Sequence, residues 1–213
     1  MSEFSFSILD LFAESYAVAP QLTARLRIEE STSTAIHAMA LRAQVRIEPQ
    51  RRPYNEDEER GLLDLFGSRE RWYDTLKPFL WMQTSAMVQG FTSVTEVDLA
   101  LPCTYDFDVT ASKYLHALRA GAVRVVLLFS GTAFTRGTNG FGVEQVPWDC
   151  EAGYDMPVAV WREMIEHYYP NTGWLRLDRD VLEQLAGYKV AHGMTCWEEA
   201  LRALLPHPDR SRS

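Results

Sequence analysis

The sequence predicts an α+β protein: an antiparallel, twisted β-sheet with a helical insertion at about residues 54–77 and a C-terminal helical subdomain. Three observations carry this prediction. Apolar and polar residues alternate at period two through much of the first half, as strands with one buried face require. A run with helix-capping residues and helical apolar spacing interrupts that alternation after Pro53. Beyond Pro157 the spacing becomes helical and, apart from a turn at Pro170-Asn171-Thr172-Gly173 and a short extended segment at 174–177, stays so to about residue 205.

The first alternating run places Leu22, Ala24, Leu26 and Ile28 on one face, with Thr23, Arg25 and Arg27 on the other. A polar turn, Ser31-Thr32-Ser33-Thr34, leads into a second run. There His37, Met39, Leu41, Ala43, Val45 and Ile47 alternate against Ala38, Ala40, Arg42, Gln44 and Arg46. Together they predict a long antiparallel hairpin with one buried face. Pro49 and Pro53 end it, because proline removes a ladder donor. Asn55 then opens the insertion. Glu56, Asp57, Glu58 and Glu59 crowd the first turn, where negative charge suits the helix dipole, and Glu58 stands at capping-box spacing from Asn55. Leu62, Leu63, Leu65 and Phe66 give the buried side, and Gly67 ends this helix before a second short one containing Trp72.

From Val97 the alternation runs to Ala111, which predicts one long strand bent or interrupted at Pro102. Its polar side would carry Glu96, Asp98, Asp106 and Asp108. Residues 123–135, VRVVLLFSGTAFT, are the most apolar run and predict the central strand. Asn139-Gly140 predicts a tight hairpin, since both central positions of a type I′ turn need positive φ. An extended segment over 141–154 completes the β portion. Pro157 suits the first turn of a helix over 157–169. Asp178 caps the next helix, and Thr195 with Glu198 forms a capping box for the last. The resulting division is a β-rich domain at 1–156, a helical subdomain at 157–205 packed on it, and a disordered tail at 206–213.

Composition narrows the function classes. At 213 residues and 46% hydrophobic, the chain can bury one substantial core but is short for two catalytic domains. Its apolar runs fall short of the roughly 18 residues a membrane-spanning helix needs. The first residues carry Glu3 and no basic cluster, so a signal peptide is not expected and the cytoplasm is. The net charge of -8 argues against nucleic acid and anionic membranes as partners. Most of that excess lies in 54–102, with nine acids and four bases, and no Lys or Arg falls between Lys77 and Lys113. The charge therefore marks one acidic face.

The candidate chemistry is sparse. The four carboxylates could bind a hard cation, but i, i+2 partners on a strand stand roughly 6.5–7 Å apart and no Asp-rich loop wraps a metal. They serve equally as a rim for a basic partner or as a solvated strand that resists edge pairing; the last is the favoured reading. Glu163 and His167 share a helical face, a two-ligand pair too small to define a metal site. No metal and no cofactor are expected. Ser130-Gly131 lacks the first glycine of a nucleophile elbow, since Leu128 stands there. Cys103 should point into the core, and the Cys150 thiolate is disfavoured between Asp149 and Glu151. Of the six tryptophans, Trp72, Trp81 and Trp148 are the candidates for apolar anchors of a partner segment.

Several stretches resemble an uncharacterised family found chiefly in actinobacteria: ALRAQVRIEPQRRPY, LDLFGSRERWYDTLKPFLW, TEVDLALPCTYDFDV, LLFSGTAFTRG and PVAVWREMIEHYYPNTGWLRLDRD. The resemblance implies an accessory role near nickel–iron hydrogenases, beside whose genes such proteins are encoded, and brings no catalytic residues. A weaker resemblance, in order and pattern, is to the SecB export chaperone. It rests on the N-terminal hairpin, LLFSGTAFT and the turn TGWLRL, and implies a surface that binds segments of another polypeptide.

The function expected is thus that of a non-enzymatic, cytoplasmic accessory or chaperone-like protein. Its partner would be another protein, such as a hydrogenase subunit or its precursor. Trp72, Trp81 and Trp148 are the expected anchors and Asp98, Asp106 and Asp108 the acidic rim. The rival is an enzyme with a site between sheet and C-terminal helices, using Arg136, Asp149 or His167. A structural subunit of a larger complex is a third alternative, and homo-oligomerisation stays open.

Overall fold

The computed structural model describes residues 3–104, 109–137, 140–172 and 176–205. Strands β1 (Phe4–Ala13), β2 (Gln21–Glu30) and β5 (Val94–Pro102) form one antiparallel sheet in the order β1-β2-β5. A second antiparallel sheet has the order β4-β3-β6-β7. It contains β3 (Ile36–Ile47), β4 (Phe79–Phe91), β6 (Ala122–Gly137) and β7 (Gly140–Gln145), with β8 (Glu151–Pro157) also paired to β6. The expected α+β class is the observed one. β6 is the central strand foreseen for the most apolar run: it pairs with β3, β7 and β8.

The hairpin expected from the first two alternating runs does not form. β2 pairs with β1 and β5, whereas β3 pairs with β4 and β6. The parity is nonetheless as expected for Leu22, Ala24, Leu26 and Ile28 and then for Met39, Leu41, Ala43, Val45 and Ile47, all buried; His37 departs from it, exposed where a register shift between Ile36 and Ala38 buries Ile36 instead. Had the two strands paired, both apolar sets would lie on one face of one sheet and need a further layer to cover them. Placed in different sheets, they enter one buried cluster with each other. Between them Glu30 accepts hydrogen bonds from the backbone N–H groups of Thr32 (3.0 Å) and Thr34 (2.8 Å), and Ser33 takes positive φ. Across the cluster Phe6 of β1 stacks on Phe129 of β6 at 4.2 Å, and Thr84 Oγ1 of β4 donates to the Ala100 carbonyl of β5.

The insertion between β3 and β4 is helical, as expected. After a 3-10 turn at Pro49–Arg51 come α1 (Glu56–Gly61), α2 (Leu63–Phe66), a second 3-10 turn at Arg69–Arg71 and α3 (Trp72–Thr75). The capping box is present: Glu58 N–H donates to Asn55 Oδ1 at 2.9 Å, and Asn55 N–H to Glu58 Oε2 at 3.3 Å. The long strand expected over 97–111 is corrected. β5 ends at Pro102, and α4 (Thr110–Ala117) buries Ala111, Tyr114, Leu115 and Ala117. The helical spacing of those residues governs there, with Ser112 Oγ donating to the Thr104 carbonyl at 2.6 Å.

The chain divides into two compact units, Met1–Trp174 and Leu175–Ser213. The first includes α5 (Val158–Tyr168), which buries Val158, Trp161, Met164 and Ile165. The second holds α6 (Arg179–Ala191), opening behind Asp178, and α7 (Trp197–Leu204). The capping box expected from Thr195 and Glu198 is replaced by a contact one residue on, in which Thr195 N–H donates to Glu199 Oε2 at 3.0 Å. The centre of the turn expected at Asn139 and the tail at 206–213 lie outside the described residues. Among the described residues, no helix is long and apolar enough to cross a membrane.

Candidate functional site

β7 and β8 are joined by Val146–Cys150, and this connection is tied to β6 at both ends. Val146 N–H donates to the Gly131 carbonyl at 3.0 Å and Phe129 N–H to the Cys150 carbonyl at 2.9 Å. Within it Cys150 N–H donates to the Pro147 carbonyl at 3.3 Å, closing a turn with Trp148 and Asp149 at its tip. Trp148 is 89% exposed. The turn is thus held on the central strand while its largest side chain is left in water.

A cleft of about 500 Å³ separates this turn from the start of β1. Glu3, Phe4, Ser5 and Phe6 line one side, with Pro147, Asp149, Cys150 and Glu151 on the other. Phe4 is buried, and Phe6 is fixed by its stack on Phe129, so the aromatic floor is preset. Three carboxylates and no basic side chain stand around it. The Cys150 Sγ donates to the Phe4 carbonyl at 3.6 Å, and burial, aided by Asp149, pushes its thiol above the ordinary range. Such a thiol is a poor nucleophile at neutral pH. Cys103 is similarly unreactive, its thiol pushed up to about 12 by burial.

The other sequence-derived candidates are dispersed. Trp72 is half-buried in the insertion, where its Nε1 donates to the Gly67 carbonyl at 3.0 Å and its ring meets Tyr54 edge-on at 5.0 Å. Trp81 packs edge-on against Trp161 at 6.1 Å. Asp98 is paired across the ladder with Arg25, through Nε at 2.9 Å and Nη2 at 3.1 Å. The Arg25 hydrogen bonds hold its carboxyl below the usual range. Asp106 and Asp108 lie outside the described residues. Arg136 is exposed near the end of β6, and His167 Nε2 lies 3.1 Å from the Ser15 carbonyl at the end of α5. Among the candidates, only Asp149 lines this cleft; Trp148, its chain neighbour, stands at the exposed tip of the same turn.

Glu3, Phe4, Phe6 and Glu151 complete that site and were not singled out in the sequence. The alternation of FSFSI at the N-terminus was the available signal, but it is too short to show where β1 lies relative to the turn. Among the described residues, no cluster of three His, Cys, Asp or Glu could hold a metal ion.

These features define an α+β protein of two antiparallel sheets with an aromatic, acid-rimmed cleft beside the central strand's turn. The chain belongs to the family of unknown function DUF6084, whose family profile matches residues 1–213. No curated protein matches it. Among solved structures, a β-glucosidase from Kluyveromyces marxianus aligns at 8% identity over 73% of this chain and 15% of its own, with a TM-score of 0.28. β-Glucosidase 3B from Thermotoga neapolitana, in complex with α-D-glucose, aligns at 13% over 72% of this chain and 17% of its own, with a TM-score of 0.26. This chain spans less than a fifth of either, and similarity at this level carries no inference about activity.

Proposed function

We propose that the protein is a non-enzymatic, cytoplasmic accessory or chaperone-like protein that binds a segment of another polypeptide at the Trp148 cleft. The observation that carries this reading is the 89% exposure of Trp148 on a turn whose two ends are hydrogen-bonded to β6. A large ring held in water by a fixed backbone loses unfavourable hydration when a partner covers it, at little cost in ordering. Tryptophan is accordingly over-represented among the residues that dominate binding energy. Phe4 and Phe6 line the cleft on the other side of the same turn, and the surrounding carboxylates supply polar specificity. The resemblance to proteins encoded beside nickel–iron hydrogenase genes supports a hydrogenase subunit or precursor as the partner.

The test is gentle purification of wild-type protein and a Trp148→Ala variant from the native host, with identification of co-purifying chains. A specific chain held by the wild type should fall about tenfold or more with the variant, as loss of an aromatic anchor predicts. Recovery of the wild type alone, or equal recovery of the partner by both proteins, would overturn the reading.

A further inference from the structure

We propose that the pocket between the α1–α2 segment and α4 binds a phosphate group, either free or carried on a small organic molecule. This goes beyond the peptide-binding reading and does not depend on it. The pocket has a volume of about 230 Å³. Gly61 and Asp64 line one side, with Lys113, His116, Ala117 and Arg119 on the other. Its floor is made of small residues: a Cβ added at Gly61 would stand only 3.1 Å from that of Ala117, so α1 and α4 close to contact there. The longer side chains around that contact carry the charge. Three basic residues face one carboxylate, in a chain whose formal charge is -8. The cleft beside the Trp148 turn has the opposite character, with three carboxylates and no base.

Lys113 Nζ donates to Asp64 Oδ2 at 2.8 Å, which balances that pair. Arg119 supplies the uncompensated charge. Its backbone is held from both sides: its N–H donates to Glu58 Oε1 at 2.7 Å, and its carbonyl accepts from Arg162 Nη1 of α5 at 3.1 Å. Its side chain is exposed and forms no ion pair among the described residues. Bases at a helix end complement the dipole, but here Arg162, outside the pocket lining, serves the Arg119 carbonyl. The imidazole reports the resulting field. Burial holds the His116 pKa below its usual value, and Arg119 and then Arg162 lower it further. Positive potential therefore prevails at the ring although Asp64 lines the same pocket. An ammonium, a guanidinium and an imidazole around one small cavity suit a tetrahedral oxyanion, which accepts hydrogen bonds from several directions. A phosphate group carries about 1.5–2 negative charges at neutral pH, which competes with Asp64 for Lys113 and favours a proton on His116.

The experiment titrates the isotope-labelled full chain with sodium phosphate and follows it by NMR, with sodium chloride at matched ionic strength as the control. Phosphate should give saturable shifts at Gly61, Lys113, His116 and Arg119, and the His116 pKa, read from its ring protons, should rise. Arg119→Ala should weaken binding by about tenfold or more, as loss of charge-assisted hydrogen bonds predicts. This variant removes the guanidinium alone, because the contacts with Glu58 and Arg162 are made by the Arg119 backbone. Asp64→Asn should tighten binding by about threefold or more, since it deletes the competing carboxylate; a purely structural role for Asp64 gives no such gain. O-Phosphoserine, used as a second probe, distinguishes the sources. Tighter binding than inorganic phosphate assigns the pocket to a phosphate monoester, and equal or weaker binding assigns it to the free ion. The proposal is overturned by equal shifts with chloride, by no saturation with millimolar phosphate, or by a His116 pKa that stays in place. Phosphate binding that Arg119→Ala leaves unchanged, or that Asp64→Asn weakens, overturns it as well.

Discussion

Glu30 is buried at the end of β2, where its carboxylate gathers the polar groups of the following turn. It accepts from Thr32 N–H, Thr34 N–H and the Thr32 hydroxyl, and more distantly from Glu3 N–H at 3.4 Å. Burial alone would raise its pKa, but the Thr32 and Thr34 hydrogen bonds outweigh it and hold the carboxyl below its usual value. The sign follows from linkage: a depressed folded-state pKa gives stability that is present above the unfolded value, about 4.3, and is lost as pH falls through the folded one. Glu30→Gln should therefore destabilise the protein at pH 7, by about 1–3 kcal/mol for a buried group losing charged hydrogen bonds. Denaturant unfolding measured across pH should show the gap between wild type and variant closing below about pH 4. A gap of constant size would mean that the turn does not depend on the ionised carboxylate. The residue pattern Glu30-x-Thr32-x-Thr34 is visible in the sequence only as a polar turn, since neither the burial of Glu30 nor its pairing with Phe4 can be read from local spacing.

At the scale of elements, the insertion is fastened by one buried cluster. Arg52 Nη2 meets Glu58 Oε1 at 2.9 Å, with side chains 9% and 3% exposed. The same Glu58 oxygen accepts from Arg119 N–H at 2.7 Å, and Arg52 Nη2 donates to the Ala120 carbonyl at 2.9 Å. Nearby, Tyr54 OH contacts Tyr114 OH at 2.8 Å and the Pro49 carbonyl at 2.6 Å. Thus a helix cap legible as Asn55-x-x-Glu58 also pins α1 to the connection between α4 and β6. Glu58→Ala should cost about 3–5 kcal/mol, because it leaves the Arg52 guanidinium buried without its counter-charge. Combining it with Arg52→Met should recover much of that loss in thermal or denaturant unfolding; no recovery would place the cost in the cap and the Arg119 contact instead. Which strands would have buried faces was similarly legible, through Leu22–Ile28 and Met39–Ile47, but not their partners. Pairing of β3 with β6 joins residues far apart in sequence, and alternation carries no information about that choice. At α4 two patterns overlapped: Ala111, Tyr114, Leu115 and Leu118 have helical spacing, yet the alternation from Val97 runs into them. Ser130-Gly131, weighed as an incomplete nucleophile elbow, lies within β6, where a side chain on Gly131 would meet the Ala40 carbonyl oxygen at 2.2 Å. That glycine serves close strand approach.

For the whole molecule, the distribution of burial separates the two units more sharply than composition could. The buried cluster runs from Phe4 to Ile165, entirely within Met1–Trp174. Among the described residues of Leu175–Ser213, Ala200 alone is buried, while Val190, Leu204 and Leu205 are more than half exposed. The sequence shows helical spacing on both sides of this division and so could not reveal that α5 lies with the strands: Trp161, Met164 and Ile165 differ from the apolar residues of α6 in what they touch, not in their pattern. The charge of -8 also has a more local meaning. In the β2–β5 ladder Asp98 is matched by Arg25, whereas Glu3, Asp149 and Glu151 gather around one aromatic cleft. A chain ending at residue 174 should therefore retain a cooperative unfolding transition and the circular dichroism of antiparallel strands, because it keeps every residue of that cluster. The peptide 175–213 should show only marginal helicity in dilute buffer, since chains below about 40 residues rarely bury enough surface to fold alone and short helices are weakly stable in water. Differential calorimetry of the shortened chain and far-ultraviolet dichroism of the peptide measure the two outcomes separately. A shortened chain without a cooperative transition would show that its folding requires the second unit; a peptide that melts cooperatively at low concentration would show that the second unit needs no cover for its apolar residues.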